Sequence, residues 1–111
     1  MLLNVITLGL DNPVVLKFEL RGEFKAKQLN GFDYLQMEIG GEEYSTAETP
    51  EQLFVPADQP DHLYLKIGAT TALPPGKYRL TLRGYNARYP NGYELNGATR
   101  RLLQPVEVKR A

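Results

Sequence analysis

The fold class this sequence predicts is all-β: an antiparallel β-sandwich of about seven short strands, in one domain spanning residues 1–111. Three observations carry the prediction. Apolar side chains recur at every second residue in several short runs, most clearly where Val14, Leu16, Phe18 and Leu20 alternate with Val15, Lys17, Glu19 and Arg21. Glycine, proline and asparagine punctuate these runs at short intervals, the places where a chain must turn. No segment keeps an apolar spacing of three to four residues long enough to make a helix. A small barrel is the competing all-β architecture.

The elements follow in order. Ile6, Leu8 and Leu10 share a face of a first strand that begins near Met1 and is broken by Asp11-Asn12-Pro13. Val14 to Arg21 forms the second, closed by Gly22. The segment Glu23 to Gly31 is polar and ends in Asn30-Gly31, which accepts positive φ. Phe32 through Ile39 is the third strand, with Leu35, Met37 and Ile39 on one face and Phe32, Tyr34, Gln36 and Glu38 on the other. Gly40-Gly41 turns the chain into a short edge strand, Glu42 to Ser45. Thr46 to Pro60, with Pro50, Pro56 and Pro60, is irregular, and Leu53-Phe54-Val55 within it forms a brief strand or a plug over the core. His62 to Ile67 resumes alternation with Leu63, Leu65 and Ile67 inward. A strand carrying Tyr78, Leu80 and Leu82 follows Leu73-Pro74-Pro75-Gly76. Asn86 to Gly97 is a long connection with a hairpin signal at Tyr89-Pro90-Asn91-Gly92-Tyr93. A final strand contains Leu102, Leu103, Val106 and Val108, and Pro105 within it suits an edge or a bulge. The shared core is then Val14, Leu16, Phe18, Leu35, Met37, Leu63, Leu65, Ile67, Leu80, Leu82, Val106 and Val108.

The run Leu73-Pro74-Pro75-Gly76-Lys77-Tyr78 combines a forced corner with a strand: two prolines fix φ, and Gly76 permits a positive one. Its Leu-x-Pro-Gly-x-Tyr arrangement resembles the tyrosine corner of immunoglobulin-like and fibronectin type III sandwiches. That resemblance implies an immunoglobulin-like fold in which the Tyr78 hydroxyl bonds to backbone a few residues upstream. A Cys-free sandwich of this size also resembles, in general character, small virion proteins of bacteriophages and prophages. The likeness implies a tail, baseplate or decoration component and assigns no residue.

The chain has no cysteine, which removes disulfides, thiolate nucleophiles and cysteine-ligated metals. The N-terminus lacks a basic region and a small-residue cleavage site, so it reads as a strand rather than a secretory signal, and the expected location is cytoplasmic or virion-associated. Apolar runs are too short to span a bilayer as helices, so no membrane partner is expected. Formal charge is zero, but it is divided: from Gly76 onward eight basic side chains face two acidic ones, a net +6 that the rest of the chain balances. Strands from the two halves interleave in a sandwich, which would mix these charges over the surface; the alternative is a bipolar molecule able to stack head to tail.

Catalytic chemistry finds little purchase. His62 is the sole histidine and stands in Asp58-Gln59-Pro60-Asp61-His62, a solvated turn with too few nitrogen or sulfur donors for zinc. The acids Glu42, Glu43, Glu48, Glu51 and Asp58 do not fall into a calcium-loop spacing. Ser45 has no nucleophile-elbow context. The expectation is therefore a non-enzyme with no catalytic, cofactor-binding or metal residues and no cofactor. Tyrosines and arginines alternate from Tyr78 to Tyr93, a mixture able to stack on bases, yet zero net charge argues against nucleic acid as a partner.

Tyr85, Arg88, Tyr89 and Tyr93, gathered in or beside one hairpin, are the candidate protein-binding residues, because Tyr and Arg supply contact area and hydrogen bonds at low ordering cost. The expected function is a structural or protein-interaction module, with a protein partner or self-assembly. The alternative is a carbohydrate- or protein-binding accessory module, for which Tyr34, Tyr44 and Tyr64 are the outward aromatic candidates.

Overall fold

Period-two alternation gives most of the longer strands one apolar face, and burying those faces together builds the core. The computed structural model describes residues 4–111, so the part of the first-strand reading that falls on residues 1–3 lies outside the described residues. The strands are β1 (Asn4–Thr7), β2 (Val14–Lys17), β3 (Tyr34–Ile39), β4 (Glu42–Ser45), β5 (Leu53–Phe54), β6 (His62–Leu65), β7 (Gly76–Tyr78), β8 (Leu80–Tyr85), β9 (Tyr93–Asn96) and β10 (Val106–Lys109). Two 3-10 turns, Gly22–Phe24 and Gln28–Gly31, lie between β2 and β3.

They form three open sheets, β1-β10-β7, β2-β6-β5 and β4-β3-β8-β9, and not a barrel. β7 and β8 are one extended run interrupted at Arg79: Tyr78 pairs with Val106 of β10, while Leu80 pairs with Ile39 of β3. The first and third sheets therefore share that run. Among the described pairings one departs from the antiparallel expectation, since β1 runs parallel to β10 with Asn4 opposite Val106. A parallel neighbour needs a long connection, and here nearly the whole chain intervenes.

All twelve expected core residues are buried, joined by Ile6, Phe24, Leu29, Phe32, Ile39, Leu53, Leu73 and Leu95. At the β3–β4 hairpin Ile39 pairs with Glu42 across Gly40 (φ 56°) and Gly41 (φ 88°), the two positive angles that a type I′ turn requires. At the proline corner the Tyr78 hydroxyl donates to the Pro74 carbonyl oxygen at 2.6 Å, four residues upstream. Glu42 anchors the same corner from β4: Oε1 accepts from the Thr71 hydroxyl (2.5 Å) and Oε2 from the Ala72 N–H (2.9 Å).

Several expectations change. Tyr44 is buried rather than outward, because it pairs with Met37 and shares that residue's inward face; its hydroxyl reaches Glu42 Oε1 at 2.7 Å. Phe32 is buried because it precedes β3, so the strand's alternation does not govern it. Leu10 (47% exposed) and Leu102 (51%) lie outside any strand. Tyr93–Asn96 is a strand, with a register shift opposite Leu82/Arg83 that buries consecutive Leu95 and Asn96 and breaks the alternation. No helix among the described residues is long and apolar enough to cross a membrane.

Candidate functional site

The hairpin joining β8 to β9 is shaped by Asn86. Its Oδ1 accepts the Tyr89 N–H (2.8 Å) while its Nδ2 donates to the Gly31 carbonyl (2.9 Å), which folds the turn and ties it to the 3-10 segment before β3. Gly92, at φ 99°, completes the turn by donating its N–H to the Tyr89 carbonyl.

Three of the four candidate residues meet on one side of this hairpin. Arg88 Nη1 pairs with Glu23 Oε2 at 2.7 Å, and the Tyr89 hydroxyl donates to Glu23 Oε1. The hydrogen bond to that carboxylate raises the Tyr89 phenol above its ordinary pKa. Tyr93 packs edge-on to both Phe24 and Tyr89, with centroids 5.0 Å apart in each case, and its hydroxyl accepts from Arg100 Nη1 at 2.8 Å. Phe24 in turn stacks on Phe32 at 4.6 Å. The stretch that reads as a polar loop thus supplies Glu23 and Phe24, the hairpin's partners. A lone phenylalanine in a polar segment was the available signal.

Tyr85 stands apart. It pairs with Tyr34 across β8 and β3 on the outer face of the four-stranded sheet, and the two rings stack at 4.7 Å and 7°. Gly92 supports the Tyr85 ring, close enough that a Cβ there would lie 3.0 Å from it. Gly84, beside Tyr85, is equally constrained on the inner face: an added Cβ would meet the Phe32 ring at 2.4 Å. Only glycine lets that ring lie against the strand.

On the outer face Gln36 opposes Arg83 and Ser45, and Glu38 opposes Thr81 and Glu43, so strands from the acidic and basic parts of the chain are neighbours. Arg83, Glu38 and Glu43 make no ion pair among the described residues. A groove of about 370 Å³ lies beside Tyr34, lined by Gln36, Glu43, Ser45, Glu48 and Thr49 among others. Tyr64 stacks on Phe54 at 5.3 Å in the β2-β6-β5 sheet, so Tyr34 and Tyr64 belong to different sheets. No family model matches the chain, and neither a curated protein nor a solved structure is found to match it.

His62 Nδ1 and Asp61 Oδ1 lie 2.6 Å apart, and this bond holds the Asp61 carboxyl below its ordinary pKa. The described residues contain no group of three or more His, Asp or Glu side chains arranged to hold a metal ion.

Proposed function

We propose that the chain is an immunoglobulin-like sandwich serving as a non-catalytic structural and protein-interaction module, which joins another copy of itself or another subunit of an assembly. A bacteriophage or prophage tail, baseplate or decoration layer is the assembly that the general likeness implies. The observation that carries the reading is the stacked Tyr34–Tyr85 pair on the outer sheet face, with Arg83 at the next outward position of β8 and Glu43 in the adjoining groove, both without ion-pair partners among the described residues. Aromatic and arginine side chains dominate interface energetics, and this pair is already stacked before any partner arrives. The hairpin carrying Arg88, Tyr89 and Tyr93 is tied down by Glu23 and Phe24, so it would act as a fixed rim rather than a flexible loop. The Tyr78–Pro74 bond and the β1-β10-β7 arrangement beside β3 and β8 support the immunoglobulin-like reading.

Sedimentation and light scattering test the proposal. Self-association, or binding to the product of a neighbouring gene, is expected to weaken with added salt and with Tyr34→Ala or Arg83→Ala. The groove beside Tyr34 favours a carbohydrate module as the second reading, because it sets polar side chains next to an exposed ring. A protein that stays monomeric, binds no neighbouring product and is retained on an oligosaccharide gel in a Tyr34-dependent way would replace the first reading with the second.

A further inference from the structure

β9 and β10 both run beside the β7–β8 segment, but they do not meet. Asn96 lies opposite Leu82 and Val106 opposite Tyr78, so residues 97–105 span a distance that Arg79, Leu80 and Thr81 cover on the other side. Nine residues against three cannot stay in a ladder. The surplus loops out, leaving a cleft of about 360 Å³ with Leu80 and Asn96 among its lining residues and Arg79, Thr81, Arg101 and Gln104 around it.

Two features hold this cleft in shape. The buried Asn96 carboxamide bridges it, Nδ2 donating to the Leu80 carbonyl (2.6 Å) and Oδ1 accepting the Leu103 N–H (2.8 Å). Glu94 fastens the loop: Oε1 accepts the N–H groups of Thr99 (3.0 Å) and Arg100 (3.3 Å), and Oε2 accepts the Thr99 hydroxyl. Gly97 makes room for this carboxylate: a Cβ there would lie 2.6 Å from Glu94 Oε1, and the Glu94 side chain would have to shift.

The charges around the cleft are one-sided. Glu94 is engaged by its own loop, and Arg100 by Tyr93. No carboxylate lines the cleft, while Arg79 and Arg101 both do and make no ion pair among the described residues. Two guanidinium groups beside a hydroxyl and a carboxamide offer donors in the fork geometry that suits a carboxylate or phosphate, and Leu80, Leu103 and Pro105 offer contact to a short apolar stem. We propose that this cleft is an oxyanion-binding site, with Arg79 and Arg101 as its principal ligands. The oxyanion can come from a free small acid or from an acidic side chain of a protein. This inference stands independently of the outer-face reading above.

Amide chemical shifts of the full chain, followed during titration with succinate, inorganic phosphate and a tetraglutamate peptide, test it. Saturable shifts confined to residues 79–81 and 96–105 are expected with at least one probe. The apparent affinity should fall at least tenfold in the Arg79→Gln, Arg101→Gln variant, and by a smaller factor in Arg79→Lys, which keeps charge without the fork. Both arginines are exposed, so the variants are expected to retain the wild-type spectrum away from the cleft. Tetraglutamate binding tenfold tighter than succinate supports a protein carboxylate; succinate or phosphate binding as tightly supports a small free anion. Absence of saturable shifts with all three probes, or equal affinity in the double glutamine variant, overturns the site.

Discussion

Tyr34 and Tyr85 face each other directly across β3 and β8, and their rings lie 4.7 Å apart and only 7° from parallel. Gly92 also lies against the Tyr85 ring, where a Cβ would come within 3.0 Å of it. Two large aromatic surfaces are thereby fixed at the solvent boundary, with Tyr34 37% exposed.

A double-mutant cycle on this pair is expected to give a coupling of about 0.5–1 kcal/mol, the range for cross-strand aromatic pairs beyond simple burial. Urea denaturation of Tyr34→Ala, Tyr85→Ala and the double variant measures it. Additive losses would mean that the rings are neighbours without energetic contact, and that the stacked surface is not held by the pair itself.

Tyr78→Phe removes the hydroxyl that donates to Pro74 and leaves the ring in place. Its loss is expected to cost about 1 kcal/mol, the net worth of one hydrogen bond, seen as a lower denaturation midpoint with an unchanged slope. An unchanged midpoint would show that the corner is held by ring packing over Leu73 and Gly40 alone.

The sheet core was legible because it depends on local pattern alone. Val14, Leu16, Phe18 and Leu20 are all buried and the residues between them exposed, although the strand itself ends at Lys17. The Tyr78 corner was legible because prolines and a glycine constrain backbone whatever surrounds them. What escaped depends on contacts distant in sequence. Phe24 and Leu29 sit in 3-10 turns among polar neighbours; Phe24 becomes core by packing on Phe32 and on Tyr93 of the hairpin, while the Leu29 N–H is held by the Pro60 carbonyl. Leu95 and Asn96 are consecutive and both buried, which no period-two reading anticipates. Of the four candidate interface residues the hairpin position was legible, but the partners of three of them, Glu23, Phe24 and Arg100, were not.

The alkaline and acid limbs of stability should report on Glu42 and Tyr44. Burial pushes the Glu42 carboxyl up, but hydrogen bonds from Thr71, Tyr44 and the Ala72 N–H outweigh it, so the net shift is below the ordinary 4.5. A depressed carboxyl contributes stability that is present above 4.5 and lost as pH falls through the folded value. The Tyr44 phenol is pushed up to about 12 from 10.0 by burial first, then by the Glu42 hydrogen bond and charge. A raised phenol contributes stability that is present below 10.0 and lost as pH rises through about 12. Thermal denaturation across pH is expected to show Glu42→Gln flattening the acid limb. Tyr44→Phe should remove an alkaline loss on the order of 2 kcal/mol between those two values. Limbs unaltered by either variant would place the titrating groups elsewhere.

Asn96 carries the last prediction, because its buried carboxamide satisfies the Leu80 carbonyl and the Leu103 N–H at once. Asn96→Ala leaves both backbone groups without that partner and is expected to cost about 1–3 kcal/mol, the usual penalty for an unmet buried group. Asn96→Asp separates the two bonds. It keeps an acceptor for Leu103 N–H but sets a carboxylate against the Leu80 carbonyl, so burial and repulsion should raise its folded pKa. Its stability should then be higher at acid pH, where the side chain is protonated and can donate, and lost as pH rises through the folded value. Denaturation midpoints of both variants at acid and neutral pH measure the effect. An Asn96→Asp protein as stable at neutral as at acid pH would show that water reaches the Leu80 carbonyl and that the cleft is open at its floor.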